Sequence, residues 1–295
     1  MKNILSIIPY LRYAYFYRKN SNHRPGHYYS PVVDLSDLEK RQKNIWETER
    51  SLNGIDFNDN EQKLFFESLI EYSKEIPFTE NKTENHRYYF DNKTYVHADG
   101  LVLFMMLNKL KPRKLIEVGS GFSSALILDT KDEFLKYPIE LTFIDPNPQD
   151  RLTALLKDED YKTTTIIKDI VQNTSIETFR ELKENDILLI DNSHVSKTGS
   201  DVNYLMTDIL PNLNKGVVVH IHDIFYPFEY PKEWLFNTRL NWNEIYSVHN
   251  FLLFNSAFKI LFFSDYVQMK YSDDLKEKAP LFFKSRPGSL WIQKI

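Results

Sequence analysis

The sequence of 295 residues contains no cysteine, and this absence removes three kinds of chemistry at once. Disulfide bonds, thiolate nucleophiles and cysteine-ligated zinc sites all require a thiol, so none of them is available to this chain. A cysteine-free sequence is compatible with a cytosolic enzyme, and we expect the protein to be cytoplasmic.

A surplus of basic residues is also lacking. Lys and Arg together number 37 against 41 Asp and Glu, which gives a formal net charge of −4 at pH 7. Because nucleic-acid binding depends on basic patches that neutralise phosphates, we do not expect DNA or RNA as the main partner. The hydrophobic content of 42% is ordinary for a globular protein, and the length predicts one main α/β domain with an N-terminal extension.

Long apolar runs are missing as well. No uninterrupted apolar segment approaches the roughly 20 residues that span a bilayer, so we expect no transmembrane segment. The first apolar segment, residues 4–11, has no small-residue cleavage site and does not resemble a signal peptide. Aromatic and basic residues interleave between residues 12 and 19. This pattern suits contact with a membrane surface, but it also suits packing on the domain or on a second subunit.

Strand-like and helix-like segments alternate through most of the chain. Strands are predicted at residues 115–118, 141–144, 163–167, 187–190 and 217–221, with helices from residues 123 and 149 and near 176–182 and 202–213. This alternation predicts a mostly parallel, doubly wound sheet with right-handed crossovers.

The two ends of the chain differ from this central pattern. Helical periodicity dominates residues 35–74, and a helix at 99–110 precedes the first strand. The C-terminal part predicts a helix near 243–253 and strands near 259–263 and 289–293. We therefore divide the chain into a helical, loop-rich extension at residues 1–85, acting as a lid or interface, and a cofactor-binding domain at residues 86–295.

The segment LIEVGSGFSS, residues 115–124, combines a buried strand, a glycine turn and the start of a helix. Gly119 and Gly121 allow the chain to turn tightly and let a ligand approach the backbone. Asp145 ends the next strand, about 20 residues after the turn, where a carboxylate accepts hydrogen bonds from ribose hydroxyls. The segment therefore predicts a site for a nucleotide-like cofactor.

The chemistry of the glycine turn distinguishes between two such cofactors. Ser124 stands where the dinucleotide fingerprint G-x-G-x-x-G has its third glycine, which disfavours a pyrophosphate. Glu117 opposes a phosphate but complements the cationic amino-acid end of S-adenosylmethionine. We therefore favour S-adenosylmethionine over a nicotinamide cofactor. A turn that merely connects a strand to a helix is the other alternative.

Polar residues follow two of the predicted strands at the point where each strand ends. Asp191 comes directly after the strand at 187–190, and Asp223 follows the strand at 217–221. Ligands in open parallel sheets bind beyond these carboxyl ends. If the two strands are neighbours, about 4.8 Å apart, the two carboxylates share one end of the sheet and are placed to hold a divalent cation.

Imidazoles stand beside both carboxylates. His194 is the preferred general base, since an ordinary imidazole titrates near 6.5, and Asp191 and His222 complete the predicted catalytic group. The alternative is that His194 caps a helix or satisfies loop amides. His220 is expected to pack in the interior. A hydrolase built on Ser193, His194 and Asp191 is disfavoured because the sequence has no G-x-S-x-G elbow.

These motifs together resemble the class I S-adenosylmethionine-dependent methyltransferases of the methyltransferase-24 type. The resemblance covers roughly residues 27–263. It is carried by HYYSP at 27–31, YYFDN at 88–92, EVGSGFSS at 117–124, FIDP at 143–146, IDNSH at 190–194, GSDVNY at 199–204, HIHDIF at 220–225 and FEYP at 228–231. The resemblance implies an α/β, Rossmann-like fold with a seven-stranded, mostly parallel, doubly wound sheet whose last strand is antiparallel.

The resemblance also implies which residues meet the cofactor. Glu117 and the two glycines of the turn would contact its methionine part, and Asp145 its ribose. Either Asp169 or the pair Gln172 and Asn173 would contact the adenine. The predicted cofactor-binding residues are Glu117, Gly119, Ser120, Gly121, Ser123, Asp145, Gln172, Asn173 and Asp191.

In similar metal-dependent sugar and catechol O-methyltransferases, the positions matching Asp191 and Asp223 bind magnesium, and the position matching His194 is the base. Those enzymes usually place Asp or Asn after the second metal carboxylate, whereas this chain has Ile224, so Mg²⁺ is left open. The implied reaction is in-line attack of an acceptor hydroxyl on the sulfonium methyl. Aromatic residues that line the acceptor pocket or pack in the core are Tyr28, Tyr29, Phe225, Tyr226, Phe228 and Tyr230.

The expected partner is a small-molecule or glycan acceptor, and a homo-oligomer is left open. Two alternatives to a methyltransferase stay open at this point. One is a cofactor-binding interaction protein without turnover, and the other is an NAD(P)-binding oxidoreductase.

Overall fold

The computed structural model describes residues 9–46 and 52–295. The predictions about residues 1–8, including most of the apolar segment at 4–11, lie outside these described residues. The described chain forms two compact units. The smaller unit comprises residues up to 46 together with Pro231–Asn241, and the larger comprises residues 52–230 and Trp242–Ile295.

The helices and strands are as follows. The helices are α1 (Pro9–Asn20), α2 (Leu35–Ile45), α3 (Asp59–Ser73), α4 (His97–Leu110), α5 (Phe122–Glu133), α6 (Asp160–Thr163), α7 (Ile176–Arg180), α8 (Asp201–Tyr204), α9 (Lys232–Thr238), α10 (Glu244–Leu252), α11 (Ser264–Lys270) and α12 (Ser272–Leu275). The strands are β1 (Lys114–Val118), β2 (Glu140–Ile144), β3 (Thr164–Ile167), β4 (Ile187–Ile190), β5 (Val218–Ile221), β6 (Phe258–Phe263) and β7 (Leu290–Lys294).

The larger unit is built on a seven-stranded sheet in the order β3-β2-β1-β4-β5-β7-β6. Strands β1 to β5 are parallel, and β7 runs antiparallel to both β5 and β6. The predicted Rossmann-like α/β fold with an antiparallel last strand is therefore confirmed. The strand order reverses between β1 and β4, which is where open sheets of this kind form a ligand crevice.

The apolar character of the strands explains their place in the fold. Every residue of β4 and β5 is buried, as expected for parallel strands covered by helices on both faces. Helix α4 buries ten of its residues, from Ala98 to Leu107. Ser175 and Ser200 begin α7 and α8, where each side chain accepts a hydrogen bond from a backbone N–H of the first turn.

Three predicted helices differ from the structure. The segment from Gln149 forms two 3₁₀ turns, Pro148–Asp150 and Leu152–Ala154, because Arg151 leaves the helical conformation between them. The helix predicted at 202–213 is α-helical only in α8. It continues as a π-helical turn and ends as a 3₁₀ turn around Pro211, which has no N–H to donate. The helical region at 35–74 is divided into α2 and α3.

Helix α3 belongs to the larger unit, where it packs against α4 and β6. The assignment of residues 1–85 to a lid or interface stays a prediction. Among the helices of residues 9–46 and 52–295, none has both the length and the apolar character needed to cross a bilayer.

Candidate active site

Four parallel strands end side by side and bring the predicted site residues to one edge. Val118 pairs with Ile144 on one side and with Ile190 on the other, and Ile190 pairs with Ile221. The residues that follow these four strand ends are Gly119, Asp145, Asp191 and His222. Residues separated by as many as 103 sequence positions thus come together because the register of the sheet is aligned at this edge.

The turn after β1 depends on glycine for a steric reason. Gly119 has a φ of 82°, which favours glycine, and a Cβ at this position would lie 1.7 Å from the backbone oxygen of Asp191. The turn therefore passes directly against the exit of β4. A Cβ on Gly121 would lie 2.6 Å from the Cδ of Arg151.

Glu117 lies beneath this turn and is fully buried. Its Oε1 accepts a hydrogen bond from Ser123 Oγ at 2.5 Å, and its Oε2 accepts one from Ser124 Oγ. Burial raises the pKa of Glu117 to about 8, although the two serine hydroxyls oppose this shift. At neutral pH the side chain is therefore largely uncharged. Its contact with the cofactor stays a prediction.

Asp145 is held at the end of β2 by the glycine turn. One carboxylate oxygen accepts hydrogen bonds from the N (3.1 Å) and Oγ (2.9 Å) of Ser120, and the other accepts from Asn147 N at 2.7 Å. A carboxylate offers about four acceptor positions, so Asp145 keeps acceptor capacity for an additional hydroxyl donor.

The residues predicted near the adenine lie after β3. Asp169 Oδ1 accepts a hydrogen bond from Asn173 Nδ2 at 2.9 Å, and both residues stay candidates for the adenine contact. Gln172 Nε2 donates to the backbone oxygen of Gly199 at 2.8 Å. The Oε1 of Gln172 is buried without a hydrogen-bond partner among the described residues. Such an oxygen is suited to accept a hydrogen bond from a ligand amino group.

His194 lies at the centre of three carboxylates. Its Nδ1 donates to Glu244 Oε2 at 2.8 Å, and its Nε2 lies 3.2 Å from Asp191 Oδ1 and 3.5 Å from Asp223 Oδ2. Asp191, His194 and Asp223 each offer a ligand atom, and these atoms lie within 4.8 Å of one another. The predicted meeting of the β4 and β5 ends is therefore observed.

The charges in this group set its protonation. Burial acts to raise the pKa of Asp191, but the nearby His222 and the hydrogen bond from His194 outweigh it and lower the pKa to about 2. Burial acts to lower the pKa of His194, but hydrogen bonds to Asp191 and Glu244 raise it well above its usual value. These two contacts therefore favour the imidazolium form of His194.

Asp223 lies between two imidazoles and adopts a left-handed backbone. Its φ is 57°, and its Oδ1 lies 3.7 Å from His222 Nε2. Burial raises the pKa of Asp223, while His222 and His194 act in the opposite direction. Burial acts to lower the pKa of His222. The negative charges of Asp223 and Asp191 outweigh this effect, so the pKa of His222 is raised.

Two residues of the site were not predicted from the sequence, Glu244 and Trp242. Glu244 is fully buried in the first turn of α10 and also accepts a hydrogen bond from Asn192 Nδ2 at 2.9 Å. The ring of Trp242 lies 4.5 Å from that of His194 with an interplanar angle of 38°. One sequence pattern could have indicated Glu244: it begins an amphipathic helix, and the apolar residues Ile245 and Val248 follow it on the buried side of α10. A carboxylate on a buried face needs a partner.

The chain around Glu244 also holds the backbone of His194. The carbonyl oxygen of His194 accepts hydrogen bonds from the backbone N–H groups of Asn243 (3.0 Å) and Glu244 (3.1 Å). These bonds support the left-handed conformation of His194, whose φ is 56°. Both the position and the ring orientation of His194 are thus fixed by one short segment.

His220 and some of the predicted pocket aromatics have packing roles in the interior. His220 is fully buried, 4.5 Å from the Trp291 ring, as the prediction of an interior role requires. Phe228 is 1% exposed and stacks on His249 at 4.5 Å, so it belongs to the core. Tyr28 is 91% exposed in the smaller unit.

The donor set fits a hard divalent cation only in part. Asp191 and Asp223 are partly exposed and supply oxygen ligands, which Mg²⁺ accepts together with several waters. Ile224, where related enzymes carry a further oxygen ligand, is fully buried and supplies none. The site therefore offers two carboxylates and one imidazole.

Comparison with known proteins agrees with this geometry. A family model described as a methyltransferase domain, methyltransferase-24, matches residues 116–224, the segment from β1 to the residue after Asp223. An uncharacterized protein of Archaeoglobus fulgidus is 30% identical over 167 residues, which cover 55% of this chain and 75% of that protein.

Solved structures with a similar arrangement include two methyltransferases. The SAH-bound methyltransferase PaMTH1 of Podospora anserina is 12% identical, covers 90% of this chain and 98% of its own, and has a TM-score of 0.45. The O-methyltransferase TomG of Streptomyces achromogenes, in complex with SAM, is 12% identical, covers 79% and 98%, and has a TM-score of 0.42.

The matched family segment contains the glycine turn, the Asp145 position and the Asp191 to His194 loop, which are the elements that meet at the sheet edge. The chain belongs to the methyltransferase-24 type of class I S-adenosylmethionine-dependent methyltransferases.

Proposed function

We propose that the protein transfers the methyl group of S-adenosylmethionine to a hydroxyl of a small molecule or glycan, with His194 as general base. The observation that carries this proposal is the position of His194 Nε2, which faces Asp191 and Asp223 at the carboxyl edge of the sheet. Glu244 holds the opposite ring nitrogen, Nδ1. An imidazole fixed in this way presents a single nitrogen to an acceptor hydroxyl.

The residues around the turn after β1 fit the cofactor. Asp145 has acceptor capacity for the ribose hydroxyls, and Gln172 Oε1, which has no hydrogen-bond partner among the described residues, supports the proposed contact with the adenine amino group. The cofactor supplies the electrophilic methyl group when bound. In this proposal Glu117, beneath the glycine turn, and the partly exposed Asp191, at the end of β4, are the acidic groups that complement the cationic methionine end.

The proton balance of His194 sets a condition for catalysis. The imidazolium has to lose a proton before it can accept one from the substrate. An acceptor hydroxyl, or a cation if one is held there, would engage Asp191 and Asp223, lower the pKa of His194 and so release its Nε2 proton to water. His194 then takes the hydroxyl proton while the oxygen attacks the methyl carbon in line with the leaving sulfur.

A divalent cation, with Mg²⁺ as the candidate, would be held by Asp191 and Asp223 and would lower the pKa of the acceptor hydroxyl. Titration with Mg²⁺ and with EDTA tests this part separately. Turnover that EDTA leaves unchanged would remove the cation from the proposal.

Replacement of His194 tests the assignment of the base. We expect His194→Ala to lower kcat by about 10² to 10⁴-fold, the usual contribution of a general base, and to leave the affinity for S-adenosylmethionine unchanged. The substrates are a panel of sugars, nucleotide sugars and phenols with a radiolabelled methyl donor. His86→Ala is the matched control, because His86 pairs with Glu133 on α5. Activity of His194→Ala equal to that of the control would exclude His194 as the base.

Calorimetry separates the proposal from the remaining alternatives. We expect S-adenosylmethionine to bind and NAD not to bind. Binding of NAD alone would favour an oxidoreductase, and binding of S-adenosylmethionine with no turnover on any acceptor would favour an interaction protein.

A further inference from the structure

Helix α1, in the smaller unit, exposes an unusual number of aromatic side chains. Tyr10 is 88% exposed, Tyr13 is 80% exposed and Phe16 is 43% exposed. Soluble surfaces rarely leave several large rings of one short helix open to water, and such clusters mark interaction sites. The exposed rings of α1 therefore form a surface that can bind an apolar partner.

Four of the five aromatic residues of α1 lie towards one side of the helix, and Tyr15 lies away from them. Tyr10, Tyr13 and Tyr17 are spaced by three and by seven residues, which places them on the same face, with Phe16 one turn from Tyr13. Tyrosine combines an apolar ring with a polar hydroxyl, and this combination is enriched at the boundary between lipid and water.

The charges of α1 indicate the sign of its partner. The helix contains Arg12, Arg18 and Lys19 and no acidic residue, although the whole chain has a net charge of −4. Arg12 and Lys19 are seven residues apart and so share one face, which lies opposite Tyr10 and next to Phe16. The Arg12 guanidinium lies 5.8 Å from the centre of the Phe16 ring, so charge and ring are presented together.

We propose that α1 binds the surface of an anionic phospholipid bilayer, with its tyrosines and Phe16 at the level of the headgroups and its basic residues against lipid phosphates. A bilayer offers an apolar phase and negative charge in one surface, which matches both properties of the helix. Self-association through α1 would bring two sets of cations together, so charge favours the bilayer over a second copy. This inference is independent of the proposed reaction.

Co-sedimentation of the full chain with vesicles tests the proposal. We expect binding to phosphatidylcholine vesicles that contain phosphatidylglycerol, much weaker binding to phosphatidylcholine alone, and a loss of binding as salt is raised. The triple variant R12Q/R18Q/K19Q should bind the anionic vesicles on the order of a hundredfold more weakly, since each basic residue near such a surface contributes roughly fivefold.

Two further variants separate charge from aromatic contact. Y10S/Y13S/F16S should lose binding to the anionic vesicles while keeping its net charge. K74Q/K136Q/K215Q removes the same number of charges from exposed positions outside α1 and should bind as the unmodified protein does. Each variant is first checked for an unchanged thermal unfolding midpoint.

Three results would overturn the proposal. The first is equal binding of R12Q/R18Q/K19Q and K74Q/K136Q/K215Q to anionic vesicles. The second is no vesicle binding by the unmodified chain. The third is a dimer that sediments for the unmodified chain, is lost in Y10S/Y13S/F16S, and is accompanied by no vesicle binding. In that case α1 would bind a second copy of the chain.

Discussion

Two fully buried glutamates near the sheet edge, Glu117 and Glu244, differ in their hydrogen-bond partners. Glu117, on β1, is bonded to the hydroxyls of Ser123 and Ser124. Glu244, on α10, is bonded to the imidazole of His194 and the amide of Asn192. Burial acts to raise the pKa of both carboxyls.

In both glutamates burial raises the pKa of the carboxyl, and the hydrogen-bond partners act in the opposite direction. Neutral hydroxyls leave the pKa of Glu117 at about 8, so this carboxyl is held mainly in its uncharged form. The imidazole beside Glu244 attracts negative charge and opposes the effect of burial. One glutamate therefore stabilises a turn, whereas the other governs the charge and orientation of the proposed base.

The largest expected effect comes from breaking the Glu244–His194 pair. Glu244→Gln keeps the shape of the side chain but removes its charge, and we expect kcat to fall about 10 to 100-fold, as for other groups that orient a functional histidine. Glu244→Ala should approach the loss seen with His194→Ala, because the ring is left without its partner. Affinity for S-adenosylmethionine, measured by calorimetry, should be unchanged in both variants.

The exposed Glu277→Gln is the matched control for the loss of one carboxylate. If Glu244→Gln has the kcat of this control, then Glu244 has no role in positioning His194.

The next effect concerns the pH dependence of stability through Glu117. Its pKa rises from 4.5 to about 8 on folding, so the folded state holds the proton more tightly. The resulting stability is fully present below pH 4.5 and is lost as the pH rises through 8. We expect the free energy of unfolding, measured with urea, to fall by a few kcal/mol across this range, since one pKa unit corresponds to about 1.4 kcal/mol.

The glutamine side chain of Glu117→Gln cannot titrate, so the free energy of unfolding of this variant should decrease clearly less over the same pH range. Part of the decrease should persist, because burial also raises the pKa of Asp99 to about 6. If the free energy of unfolding fell equally with pH in Glu117→Gln and in the unmodified protein, Glu117 would already be ionised at neutral pH.

The smallest effect is expected when one hydroxyl partner of Glu117 is removed. Ser123→Ala takes away the hydrogen bond to Glu117 Oε1 and should lower the free energy of unfolding by about 1 kcal/mol at neutral pH. Since this hydroxyl favours the ionised form, the pH range in which stability is lost should also move upward. A downward movement of that range would contradict the assigned hydrogen bond.

Much of the cofactor region is predictable from the sequence because its parts are local. The glycines of the turn, the buried strand before them and Asp145 at the end of the next strand follow each other within a short stretch, so periodicity and spacing are enough to identify them. The alternation of strands and helices likewise predicts the parallel order, since parallel strands need crossover helices.

The α/β class, the glycine turn after β1 and the polar residues at the ends of β4 and β5 are all predictable from the amino-acid sequence. The folded chain was needed to show that Glu244, fifty positions after His194, holds the imidazole, that Trp242 lies against it, and that burial raises the pKa of Glu117 to about 8. The reason is physical: local patterns follow from backbone geometry over a few residues. Charge states and side-chain partners depend instead on which distant groups are buried together.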